Sequence, residues 1–83
     1  MLNFERLNLG ARVPNDAVIV TVRRALGRTV ADVAAVEYIA DFPTTVPKAL
    51  IEAVRLCDRM GLKRIAVLLE DEKLWQEEWG SLR

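Results

Sequence analysis

Few side chains in this sequence could take part in covalent, acid–base or metal chemistry. The 83 residues include no histidine, so the commonest general base and metal ligand at neutral pH is missing. Cysteine occurs once, as Cys57, and serine once, as Ser81. A lone cysteine builds neither an internal disulfide nor a zinc cluster. As a nucleophile it would need a base or a polarised, exposed setting. Cys57 instead falls on an apolar stripe and reads as a thiol packing as a small hydrophobe. The run Glu70-Asp71-Glu72 supplies carboxylates but lacks the alternating spacing and the glycine of a calcium loop. It reads as the solvated start of a helix. The glycines at 10, 27, 61 and 80 are too scattered to cradle a phosphate. No catalytic, cofactor-binding or metal-binding residue is assigned, and the expectation is a protein that is not an enzyme.

Binding is a better use for what the chain does carry. Trp75 and Trp79 lie four apart with Leu74 adjacent and acids on either side. Tryptophans so placed anchor protein partners, because the residue is enriched at binding hot spots. They serve equally well to close a small core, and spacing does not separate the two. Arg55, Arg59 and Lys63 line up at i, i+4 and i+8, a complementary basic row. Residues 1–64 hold ten basic and seven acidic side chains, whereas residues 65–83 hold two basic and five acidic. The expected contact is therefore with a protein partner or a second copy in a homodimer. It would use Trp75, Trp79, Leu74, Arg55, Arg59 and Lys63. With 12 basic and 12 acidic side chains overall, the chain lacks the basic excess of a non-specific nucleic-acid binder.

Two resemblances bear on function. Thr29-Val-Ala-Asp-Val-Ala34 followed by Pro43-Thr-Thr-Val46 is similar to the start of a repressor-type helix-turn-helix, which implies a DNA-binding regulator. Here the turn lacks its usual glycine and the second helix lacks a set of base-reading polar residues. The order Val20-Thr-Val22, Gly27-Arg-Thr-Val30, a helix closing on Phe42-Pro43, then Ala49-Leu50 and Cys57 resembles a small rhizobial domain family of unknown function, number nine-eight-two in the domain catalogue. That family usually has tryptophan before the proline and a Gly-Pro step after it, and this chain has neither. The resemblance implies a hairpin followed by helices and no particular activity.

The elements that must position these residues follow from pattern. The chain predicts one α+β domain over 1–83, with 1–14 as a loosely structured lead-in that docks as a short strand or an irregular arm. Pro14-Asn-Asp16 is turn chemistry. Ala17 to Val22 is the densest β-branched run and predicts a strand, with Arg28-Thr-Val30 pairing back as a hairpin. Residues 31–41 are read as a helix, from a capping-box-like Thr29…Asp32 and the alanines. A strand covered on both faces fits the same residues. Phe42-Pro43 ends that segment.

The central helix runs over 46–60. A threonine caps it, Pro47 lies in its first turn, and Gly61 closes it. Its apolar stripe is Val46, Ala49, Leu50, Ala53, Val54, Cys57 and Met60. A strand over 64–69 and an acidic C-terminal helix complete the chain, with one helix over 63–79 as the alternative. An all-α bundle is the competing fold. The longest uninterrupted apolar run, Ile65 to Leu69, is too short to span a bilayer, and no signal peptide is read, so the expected location is cytoplasmic.

Overall fold

The β-branched run does form a strand, and the hairpin built on it organises the sheet. A computed structural model describes residues 3–8, 10, 16–35, 38–39 and 42–82. Their elements are β1 (Asn3–Leu7), β2 (Ala17–Ala25), β3 (Arg28–Ala35), β4 (Tyr38–Ile39), α1 (Val46–Met60), β5 (Arg64–Leu69) and β6 (Ser81–Leu82). Two single 3₁₀ turns, Glu72–Leu74 and Glu77–Trp79, lie between β5 and β6. The six strands order as β4-β3-β2-β5-β1-β6. The pairs β2–β3 and β3–β4 are antiparallel, whereas β2–β5, β5–β1 and β1–β6 are parallel. One mixed sheet with one helix on it is an α+β fold. The lead-in takes its strand alternative over Asn3–Leu7, inside the sheet between β5 and β6. Pro14 and Asn15 lie outside the described residues.

Alternation along β2 explains the layering. Val18, Val20 and Val22 point to one face and are fully buried with Ala31 and Val33 of β3, Val67 and Leu69 of β5, and Phe4 of β1. Helix α1 covers that face with Val46, Ala49, Leu50, Ala53, Leu56 and Cys57. Burial of this apolar surface is the main driving force for the fold. The other face holds a smaller cluster, Ala17, Ile19 and Ala66, with Leu7 against it. At its rim Arg64 donates to Glu5 at 2.6 Å and to Asp16 at 2.8 Å, tying β5 to β1 and to the start of β2.

The helix stripe is rotated slightly from its expected position. Leu56 is buried, while Val54 is half-buried and Met60 exposed. Thr45 is the N-cap residue, but its side chain makes no capping hydrogen bond, and Thr44 forms a backbone bridge to Ala31 instead. Gly61 adopts φ 70°, and Leu62 N–H donates to Cys57 O while Gly61 N–H donates to Asp58 O, a Schellman closure.

Two expected helices are corrected. The described residues of 31–41 form strands in its place: Arg28–Ala35 is β3 and Tyr38–Ile39 is β4, while 36–37 and 40–41 lie outside the described residues. The alanines that favour a helix locally serve as small residues on the sheet face, where Ala31 is fully buried in the core shared with α1. Asp32 caps nothing and accepts from Arg23 Nε at 2.7 Å across the hairpin. Seven continuous pairs with β2 outweigh local propensity. Phe42, which closes the segment, is exposed. The helix-turn-helix outline over 29–50 therefore has a strand where its first helix should be.

The acidic C-terminal helix is absent as well. Its span carries the two 3₁₀ turns, with extended backbone at Trp75 and Gln76 between them. The reason is reach. β6 lies parallel to β1, which lies parallel to β5, so the chain after β5 must travel back a full strand length, about 20 Å for six residues. An α-helix over Glu72–Trp79 would cover about 12 Å and would need Glu70, Asp71 and Gly80 fully extended to complete the return, whereas 3₁₀ turns with extended residues between them complete it with slack.

Candidate functional site

The outward face of α1 carries the most distinctive exposed arrangement. Lys48, Glu52, Arg55 and Arg59 recur at intervals of four, three and four, so they share a face away from the buried stripe. They line a groove of about 510 Å³ together with Ile51 and Leu56. Leu56 is buried, while Ile51 is 56% exposed and offers the groove an apolar rim. No ion pair or side-chain hydrogen bond engages Lys48, Arg55 or Arg59 among the described residues. Cationic side chains beside an apolar wall suit a carboxylate-bearing, partly apolar segment, held by charge-assisted hydrogen bonds.

Of the expected binding residues, Arg55 and Arg59 come together here. Lys63 is exposed beyond Gly61 and does not line the groove. Lys48 was missed by the sequence reading, although it precedes Arg55 by seven and so continues the same row.

Leu74, Trp75 and Trp79 lie elsewhere, half-buried against the core. Trp75 meets Phe4 edge-to-face at 5.9 Å and Trp79 at 5.3 Å. Its Nε1–H donates to Gly80 O at 3.3 Å, so its polar edge is satisfied as well as its rings. Around them the segment is tied down: the Asp71 carboxylate accepts from Lys73 N–H at 3.0 Å, and Glu72 pairs with Arg6. The 3₁₀ turns hold both rings over β1, where the sequence reading had placed them on a helix.

Cys57 is buried, and its Sγ lies 3.0 Å from Leu62 O and 3.7 Å from Arg64 O. Burial pushes its thiol above the usual range, only partly offset by the backbone contact at Arg64. A thiol held neutral beneath a helix is a packing group. Among the described residues no group of three or more His, Cys, Asp or Glu is placed to hold a metal ion. No helix among them is long and apolar enough to cross a membrane. No family model matches the chain, and neither a curated protein nor a solved structure matches it, so any functional reading comes from the molecule's own geometry.

Proposed function

We propose that the protein is a non-enzymatic adaptor or regulatory module that binds a protein partner through the α1 groove. The observation that carries this reading is the row Lys48, Arg55 and Arg59 beside Ile51, cationic and apolar at once. Held on a rigid helix, the row presents its charges at fixed spacing, so a partner meets a prepared surface. The matching partner segment is acidic with interspersed aliphatic residues. Electrostatic attraction speeds the encounter and sets the register, and contact with Ile51 contributes the apolar part.

The test is fluorescence anisotropy of a labelled peptide of alternating glutamate and leucine against the full chain. Binding should weaken as salt rises. It should also be lost in the Arg55→Glu/Arg59→Glu variant, while the unfolding midpoint of that variant stays close to the wild-type value. Equal affinity in the variant would defeat the reading. Duplex DNA belongs in the same assay as a competitor: a complex that survives excess non-specific DNA and reads sequence would favour a DNA-binding regulator instead.

A further inference from the structure

One residue stands out for being placed where nothing in its own fold benefits from it. Leu26 is fully solvent-exposed and holds φ 53°, the only positive φ of a non-glycine residue among those described. It forms the two-residue turn of the β2–β3 hairpin with Gly27, at φ 76°. Positive φ at both positions is what a type I′ turn demands, and Asn-Gly is the pair that meets it without strain. Leucine there is strained in backbone and unburied in side chain, and such outliers point to function.

The hairpin around it projects from the body. β5 ends at Leu69, opposite Val22, where Glu70 N–H donates to Val22 O at 2.9 Å. On the other side the last support is the bridge from Ala31 to Thr44. Val22 and Ala31 are themselves paired, so beyond that rung the hairpin is a bare two-stranded ribbon about 10 Å long. Arg24 and Arg28 are exposed on it, and no acid pairs with them among the described residues. The tip is one aliphatic side chain between two arginines.

The same end of the sheet, where β1 and β5 finish, carries a complement. A pocket of about 230 Å³ is lined by Leu7, Asn8 and Arg6 from the β1 side and by Leu69, Glu70 and Glu72 from the β5 side. Leu7 and Leu69 give it an apolar part with room for a branched aliphatic side chain, and its charged lining is Glu70 together with Glu72, which Arg6 already pairs. Glu70 N–H donates to Val22 O, so the pocket sits beside the base of the hairpin, about 10 Å short of its tip. A tip cannot reach its own neighbour across a straight ribbon, but it can reach that of a second copy.

We propose that two chains associate by exchanging hairpin tips, Leu26 of each entering the Leu7–Leu69 pocket of the other, with the arginines of the tip facing Glu70. With both tips engaged at once the contact is isologous and closes as a two-fold dimer, whereas single-tip engagement would grow into a filament. The sheet edges offer less, since β4 and β6 are two residues each. The dimer leaves both α1 grooves free, which makes it bivalent toward a partner that repeats its acidic segment.

The test is sedimentation equilibrium of the full chain over a wide concentration range. Wild type should show a monomer–dimer equilibrium. Leu26→Asn keeps the turn and relieves its strain, so its thermal midpoint should hold or rise while dimer affinity falls about ten- to a hundredfold. Arg24→Glu/Arg28→Glu and Glu70→Lys should each be monomeric alone and should form a heterodimer when mixed. A wild type monomeric throughout, species growing past a dimer, a Leu26→Asn dimer of unchanged affinity, or a charge-swapped pair that fails to associate would each overturn the proposal.

Discussion

Two stretches leave the sheet at the same level, and they treat their large side chains in opposite ways. The β2–β3 hairpin runs on into solvent past Val22 and holds Leu26 fully exposed. The segment after Glu70 starts one hydrogen bond away, folds back over β1, and packs Leu74, Trp75 and Trp79 against the core. Its acids are at the surface, but Asp71 caps its first turn and Glu72 is paired. Apolar side chains at this end of the molecule are thus covered where the chain turns back and bared where it runs straight. The exposure of Leu26 is a property of the ribbon, and no shortage of cover nearby explains it.

The largest effect expected on this contrast is from Phe4→Ala. Phe4 is 1% exposed and supports Trp75 edge-on, so the truncation should cost about 3–5 kcal/mol. Domains of this size hold only about 5–15 kcal/mol. Chemical denaturation should show the loss, with a red shift of tryptophan emission before global unfolding. A variant that keeps native emission and stability would mean that the returning segment is not anchored by that ring.

Next is Gly27→Ala. Its φ of 76° is in the left-handed region, while no atom lies within 4 Å of the added methyl group. The cost is backbone strain alone, about 1–2 kcal/mol, and should appear as faster amide exchange confined to the hairpin.

Cys57→Ala belongs to neither stretch and serves as the control: about 1 kcal/mol lost through packing, with peptide binding unchanged. Because burial raises the Cys57 pKa in the folded chain, the thiol's contribution is complete at neutral pH. It declines as pH climbs through the thiol range, where the unfolded chain ionises first. Thiol-reagent labelling of the native protein should be slow. Rapid labelling with loss of binding would give Cys57 a role beyond packing.

The smallest effect is the reverse of the others. Leu26→Asn should stabilise the monomer, by no more than about 1 kcal/mol, because asparagine tolerates positive φ where leucine is strained. A loss of stability instead would show that Leu26 is supported by the fold.

Local pattern sufficed where an element's own residues decide its state. The β-branched run of β2 excludes a helix by side-chain entropy, and Pro47 and Gly61 mark the ends of α1 chemically. The strand over 64–69 follows from a short apolar run after a helix stop. Pattern failed where distant pairing decides. Ala31 to Ala35 suit either state, and seven rungs with β2 plus the Thr44 bridge choose strand. Residues 72–79 have helical chemistry, but β6 must reach Asn3 and Phe4, which turns them into a stretched connection. For the site, Arg55 and Arg59 follow from spacing, and Lys48 continues the same count. Leu26 carries no such signal, because a leucine before a glycine does not announce its backbone sign.

The interior placement of β1 bears on how the molecule comes to be made. Among the described residues β1 pairs with β5 and β6 alone, so it lacks these partners until the chain has been extended through residues 64–69. The β2–β3 hairpin needs only its own neighbours and can form while synthesis continues. At about 5–20 residues per second, Phe4 therefore waits for seconds without the ring and strand that will cover it. Such long-range closure places the protein among the slower small folders. Over that interval the uncovered Phe4 stretch is an aggregation risk.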